Sequence, residues 1–334
     1  MIYNITEIVR NHRNSKKVLW RYWIFLIDTP FKILSYLTHL INNTIFGPLD
    51  YFRLQKIYVL PTVSPKKSNR DPKIDLTDVT FLIPLHVESI DRLVNCSIVL
   101  RYLDRFLKTN IIIYEVGRES RIDMLLKDLS SDINIEHILD TDDTAVFHRT
   151  RFLNIMLEKV KTPITANYDI DVLLAPEDYK RAADAILLSG NSLVYPYRAG
   201  NSQRRILKKW RNKLYHNLLL TDIAQNEMKV YQSYCGHCQF FNTDDYRFGG
   251  MENEHFISFG PEDQERCMRF QKMGYKVLWM DNIVYHLEHR RTNNSSSWNP
   301  YFKNNNNLFT YLCSLNKEDI IRYYKSIEYL QKYN

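Results

Sequence analysis

Apolar positions along the chain alternate between two periods, and the alternation predicts the fold class. Val79 to Ile83 is a continuous apolar strand run closed by Pro84, and Ser89 to Leu107 follows with Ile90, Leu93, Val94, Ile98, Leu103 and Phe106 at helical spacing. Ile111 to Val116 reads as a second strand, Arg121 to Leu129 as a helix, Ile133 to Leu139 as a strand, Thr150 to Val160 as a helix and Ile164 to Tyr168 as a strand. Strands and helices in turn imply an α/β domain with a mostly parallel, doubly wound sheet, which binds ligands beyond the carboxyl ends of its strands. No Gly-rich loop follows the first strand, which argues against dinucleotide and P-loop chemistry. Near the end, Asn304 to Asn307 reads as a polar loop, and Lys317 to Tyr333 as a closing amphipathic helix with Ile320, Ile321, Tyr324, Ile327 and Leu330 on one side.

Composition supports a folded chain. Of 334 residues, 45% are hydrophobic, 25% charged and 13% aromatic, far from the profile of a disordered segment. Five cysteines, an odd number in a long chain, suit a reducing compartment better than a disulfide scaffold. No 18-residue apolar run and no export signal is evident, so a cytoplasmic location is expected. The net charge of +7 invites a nucleic-acid reading until it is divided: residues 1–70 hold 11 Lys and Arg against Glu7, Asp28 and Asp50, a balance of +8 that leaves −1 for the rest. The body that would form a groove is not basic, and nucleic acid is excluded as a partner.

Residues 1–72 therefore read as a separate basic, aromatic helical extension and linker. Arg21, Lys32, Arg53 and Lys56 interleave with Trp20, Trp23, Phe25, Phe31, Tyr36 and Phe46, which suits either an anionic membrane surface or packing against the domain. Pro61 to Pro72 reads as the linker. The globular domain is expected over 73–334, in three parts at 73–172, 173–291 and 292–334, the last a helical closure.

Four groups of residues carry candidate chemistry. Asp169 and Asp171 end a strand two positions apart, so both carboxylates can face one spot beyond the sheet and hold a hard cation. Four of the nine glycines, Gly236, Gly249, Gly250 and Gly260, fall within 25 residues, which implies close backbone approach. Glu262, Asp263 and Glu265 then enter a helix, where acids also serve simply as dipole partners. Cys235, Cys238, His286 and His289 have spacings that suit a structural zinc site, which would make the chain a binding module. Two histidines with a carboxylate also match the facial triad of non-haem iron oxygenases, but the strand–helix alternation disfavours that scaffold. His216, His237 and His255 are expected to be surface or core groups.

The stretch Gly249-Gly250-Met251-Glu252-Asn253-Glu254-His255-Phe256-Ile257-Ser258-Phe259-Gly260-Pro261-Glu262-Asp263 resembles the Gly-Gly…Asn-Glu-x-Phe…Trp-Gly-x-Glu-Asp block of the β-1,4-galactosyltransferase group and its bacterial polysaccharide-synthesis relatives, which are inverting GT-A glycosyltransferases. Phe147 to Asn154 is similar to the group's Phe-Asn-Arg-Ala-Lys-Leu-Leu-Asn, and the likeness extends from Ile83-Pro84 to His286-Leu287-Glu288-His289-Arg290. The resemblance implies that Pro84, Phe147, Arg149 and Asp169 bind the donor, with Asp171, His286 and His289 as metal ligands and Asp171 serving both donor and metal. Gly236, from the glycine cluster, joins the donor set. It implies Asp263 as catalytic base and Glu262, Phe259, Gly260 and Gln264 as acceptor-binding. Gln264 stands where the group has a carboxylate, and Phe259 where it has Trp, which bears on acceptor identity.

The implied reaction moves a sugar, galactose or an N-acetylhexosamine favoured, from a UDP-sugar to a glycan or lipid-linked glycan acceptor in surface polysaccharide or oligosaccharide synthesis. Inversion needs one base and a sink for diphosphate charge, not the two opposed carboxyl groups of a glycosidase. Two imidazoles beside a carboxylate favour Mn²⁺ as the cofactor, with Mg²⁺ the alternative. The cation-rich segment from Tyr197 to Tyr234 is expected to close over the diphosphate, and the basic extension to hold the enzyme at the inner face of a membrane.

Overall fold

The computed structural model describes residues 72–331 except 143–145 and 293–294, together with Ile33, Leu34, Leu37, Leu40 and Ile41. Those five are helical and exposed, and the remaining expectations for residues 1–71 lie outside the described residues. The chain divides into two compact units, 1–58 and 59–334.

A seven-stranded sheet forms the core of the second unit. Its strands are β1 (Ile74–His86), β2 (Leu107–Val116), β3 (Ile133–Asp140), β4 (Ile164–Tyr168), β6 (Leu193–Tyr195), β9 (Cys238–Asn242) and β10 (Val277–Trp279), in the order β10-β6-β9-β4-β1-β2-β3. Pairing is parallel except around β9, which runs antiparallel to both β4 and β6. The mixed α/β, mostly parallel architecture expected from the pattern is the one observed. Helices α1 (Ile90–Phe106), α2 (Asp123–Lys127), α3 (Arg149–Lys159) and α4 (Pro176–Leu187) alternate with the early strands. Phe81, fully buried in β1, meets Tyr168, Tyr179 and Phe240 edge-on with centroids 5.4, 6.0 and 5.8 Å away.

Several local expectations are corrected. β1 begins five residues before the apolar run because Asp75 and Thr77 alternate outward there, and it continues past Pro84 to His86. Pro84 is tolerated because pairing with β4 stops at Leu82 and Asn167, so no ladder donor is needed on that side. The stretch from Arg121 yields only the short α2. A second sheet, order β5-β11-β7-β8, was not visible in the pattern: β5 is Val172–Leu173, β7 Gly200–Ile206, β8 Lys229–Ser233 and β11 Val284–Leu287. The presumed polar loop at Asn304 lies inside helix α8 (Phe302–Ser314), with Asn305 buried. The closing helix is two, α9 (Lys317–Ser326) and α10 (Glu328–Gln331), with Ile320, Tyr324, Ile327 and Leu330 buried and Ile321 half-buried.

The segment from Tyr197 to Tyr234 is built into β7, helix α5 (Lys208–Asn217) and β8. Four of its cations are already paired: Lys208 and Arg211 both bind Asp91 of α1, the latter at 2.8 Å, Arg198 lies 3.4 Å from Asp281, and Lys209 binds Glu227 within the segment at 2.7 Å. The expected row of charges over the diphosphate is therefore not formed by these side chains.

Candidate active site

At the carboxyl ends of β1 and β4 lies a cavity of about 270 Å³. Pro84, Phe147, Arg149, Asp169, Asp171, Gly236, Phe259, Glu262, Asp263, His286 and His289 all line it. Gly260 and Gln264 line an adjoining cleft that shares Gly236, His237 and Asp263 with the first. Every residue singled out in the sequence as catalytic, donor-binding, acceptor-binding or metal-ligating is thus brought to one of two adjoining clefts.

Sheet register creates the metal-type cluster. His286 on β11 pairs antiparallel with Val172, and the Leu287 amide donates to the Asp171 carbonyl at 2.8 Å, which sets the imidazole beside the carboxylate one residue upstream. Asp171 Oδ1 lies 3.6 Å from His286 Nε2, and Oδ2 lies 3.1 Å from His289 Nε2. One ligand atom from each of the three falls within 4.8 Å of the others. His289 Nδ1 donates to the Arg290 carbonyl at 2.9 Å, which fixes the ring with Nε2 toward Asp171. Burial pushes His286 down to about 3 against the opposing pull of Asp171. The set of two imidazoles and one carboxylate, converging on one spot, fits a divalent ion. Burial alone would keep Asp171 protonated; His286, His289 and the Arg92 guanidinium 3.8 Å away outweigh it and hold the carboxyl well below its ordinary range.

The cysteines do not join this cluster. Among the described residues the metal-capable group holds no thiol, and Cys238 is buried in β9 while Cys235 lines the second cleft. The zinc-staple reading and the binding module it implied are corrected accordingly.

Arg149, in the first turn of α3, crosses the cavity: Nη2 donates to Asp169 Oδ1 at 2.9 Å and Nη1 to Asp263 Oδ1 at 3.0 Å. Asp263, in the first turn of helix α7 (Glu262–Met273), also accepts from Arg266 Nη1 at 3.0 Å. Burial opposes ionisation of Asp263, but Arg149 and Arg266 together lower it below the usual carboxylate value. Its Oδ1 is occupied by both guanidinium groups, while Oδ2 faces Gly236, at 3.4 Å from where a Cβ on that residue would stand. Glu262 is the opposite case: burial, then the neighbouring Asp263 charge, push it up to about 8, and its Oε2 has no hydrogen-bond partner. Of the two adjacent acids, Asp263 is the one held ionised with an open oxygen. Burial also raises Asp169, in spite of Arg149 beside it.

The turn before α7 is set by α8. Asn305 donates to the carbonyls of Ile257 and Phe259 at 2.8 and 3.2 Å and accepts from the Ile257 amide at 3.2 Å, while Phe302 stacks on Phe259. Gly260 is needed because a Cβ there would come within 2.7 Å of the Asn305 amide nitrogen. Glu265 turns away from both clefts to Arg269 and Tyr324, at 3.0 and 2.6 Å.

Sequence reasoning missed His237, Arg92, Arg266 and Asn305. His237 lines both clefts with its ring centroid 5.7 Å from that of His286, and its backbone takes the left-handed φ of 72°. Its place between Gly236 and Cys238 in the glycine cluster was the available signal. Arg92 and Arg266 sit on helices with no motif to mark them.

No protein-family model matches the sequence, and no curated protein matches it. Solved structures do. S. aureus TarS 1–349 in complex with UDP-GlcNAc is similar with a TM-score of 0.51 at 12% identity, over 72% of this chain and 69% of that one. The mannosyltransferase PcManGT of Pyrobaculum calidifontis, in complex with GDP-Man and Mn²⁺, gives 0.43 at 14% identity over 77% and 67%. A variant of Drosophila β1,4-galactosyltransferase 7 in complex with manganese, UDP-Gal and xylobiose gives 0.38 at 14% identity over 64% and 71%. The fold is the GT-A-like fold of glycosyltransferases.

Proposed function

We propose that the chain is an inverting, metal-dependent hexosyltransferase that moves a sugar from a UDP-sugar to a glycan hydroxyl. The observation that carries this reading is the meeting of two sites in one cavity: the Asp171, His286 and His289 cluster, and the ionised Asp263 whose open oxygen faces the adjoining cleft. Asp263 Oδ2 is the base for the acceptor hydroxyl, and Arg149 stands between it and the Asp169 carboxylate, where diphosphate charge would develop. A divalent ion, Mn²⁺ by its nitrogen ligands, would be held by Asp171, His286 and His289 and would neutralise the leaving diphosphate. Pro84 and Phe147, the latter stacked on His86 with centroids 6.0 Å apart, form the wall proposed for the uracil ring. UDP as the nucleotide is supported by the TarS complex with UDP-GlcNAc, a neighbour in fold.

A single base opposite a charge sink yields inversion, whereas two opposed carboxyl groups would signal glycoside hydrolysis. A polysaccharide or lipid-linked acceptor, galactose or an N-acetylhexosamine as the moved sugar, and attachment of residues 1–70 to an anionic cytoplasmic membrane face belong to the same proposal. No helix among the described residues is long and apolar enough to cross a membrane. Incubating the full chain with a panel of UDP-sugars and Mn²⁺ tests the reading: one donor should release UDP, faster with acceptor present. Release from none, with or without glycan acceptors, would overturn it.

A further inference from the structure

The adjoining cleft, about 290 Å³, has a wall chemistry different from the cavity that holds the metal cluster. Gln203 of β7, Gln232 and Ser233 of β8, Tyr234 and Gln264 line it beside Asp263, and among the described residues no Lys or Arg does. Three side-chain amides, a hydroxyl and an exposed aromatic ring offer paired donors and acceptors without net charge. Arg205, on the same face of β7 as Gln203, is turned over the Tyr231 ring at 4.0 Å. The cations that do reach Asp263, Arg149 and Arg266, are both on its Oδ1.

One wall of the cleft is preformed. Four successive carbonyls are anchored: Tyr234 accepts from Trp279 Nε1 at 2.7 Å, Cys235 from Gln239 Nε2 at 3.0 Å, Gly236 from the Tyr197 hydroxyl, and His237 from the Asp169 amide at 2.9 Å. A fixed wall of neutral polar groups orients a hydroxylated ligand without an ordering cost at binding.

The geometry points to this cleft as the seat of the acceptor and to an uncharged sugar residue as the group it takes, with the Gln203, Gln232 and Gln264 amides reading its hydroxyls. The inference rests on the transfer reading above and adds the acceptor class. A uronate or phosphate-bearing unit would lie next to the Asp263 carboxylate with no cation on the cleft wall to offset it, and like charges at that range are unfavourable.

The test uses the full chain with Mn²⁺ and the UDP-sugar it cleaves. Transfer is measured to p-nitrophenyl glycosides of glucose, galactose and N-acetylglucosamine, and to p-nitrophenyl glucuronide. At least one uncharged glycoside should be used, with kcat/KM for the glucuronide about tenfold lower or worse. Gln232→Ala and Gln264→Ala should each raise the KM of that glycoside roughly three- to tenfold, more than they lower kcat, as expected for loss of one hydrogen bond. Equal use of the glucuronide, acceptor KM unmoved in both variants, or donor cleavage with no transfer to any uncharged glycoside would overturn the cleft assignment alone. A chain that neither binds nor cleaves any UDP-sugar would overturn the transfer reading, and the cleft's role with it.

Discussion

Arg266 donates Nη1 to Oδ1 of Asp263 at 3.0 Å from a position with no solvent exposure. Its other edge is occupied by Glu252, whose two oxygens accept from Nε and Nη2 at 2.6 and 2.7 Å, and Glu252 is itself held by Asn167 of β4 at 3.0 Å and by Tyr246. The proposed base is thereby tied through one guanidinium to the central sheet. Arg266 acts on the reaction through Asp263, which makes it a positioning residue.

Arg266→Lys keeps a positive charge but cannot span two carboxylates with a planar fork. Stability should fall by about 1–3 kcal/mol in urea unfolding. With the ammonium drawn to Glu252, Asp263 loses one of the two charge-assisted hydrogen bonds that favour its ionised form, so its pKa rises and the acid limb of kcat/KM moves to higher pH. An unmoved limb with lowered stability would reduce Arg266 to a purely structural group.

Asp263→Asn should lower transfer by about 10²–10⁴ while UDP binding is retained, because an amide cannot take the acceptor proton. Gly236→Ala probes the same oxygen without touching its charge. The new methyl would stand 3.4 Å from Asp263 Oδ2, an ordinary contact that the fold tolerates but that fills the approach to the open oxygen. A drop in kcat/KM of about tenfold or more, at unchanged melting temperature, is expected.

Chelation should abolish transfer and Mn²⁺ should restore it. His289→Ala should raise the Mn²⁺ concentration for half-activation by about tenfold or more, since even residues that only orient ligands carry effects of that size. Cys235→Ser should leave this requirement unchanged, as its thiol is not part of the Asp171 cluster. Activity that persists in EDTA would exclude the metal role.

Glu262 provides a pH test of stability. Its carboxyl is raised to about 8 in the folded chain, against about 4.3 unfolded. Below about 4.3 both states are protonated and the group costs nothing; as pH rises toward 8 only the unfolded chain releases the proton, so stability falls. Glu262→Gln removes that slope. The variant should gain in melting temperature relative to wild type between pH 5 and pH 8.5, and a constant difference across that range would contradict the raised value.

The extent of the β-sheet was legible where burial acts on both faces. Phe81, Leu82 and Ile83 form a continuous apolar run because helices cover both sides of β1, and such runs survive any choice of neighbour. β5, β7, β8 and β11 are short or half-exposed, with only two residues in β5, and their pairing partners are distant in the chain. Asn304 to Asn307 looked like a loop because polar side chains favour turns, yet Asn305 is buried in α8 with its amide holding the turn before Asp263.

By itself the sequence determined the alternation of strands and helices, the Asp169 and Asp171 pair at a strand end, and the acids entering α7, because these depend on spacing within one element. Tertiary structure decided the rest. Only the pairing of β11 with β5 sets His286 beside Asp171, and only the crossing of Arg149 and Arg266 over Asp263 separates it from Glu262, giving one acid a lowered value and its neighbour a raised one. Both outcomes arise from burial and from charges brought together across long stretches of chain, and neither is encoded in the identity of adjacent residues.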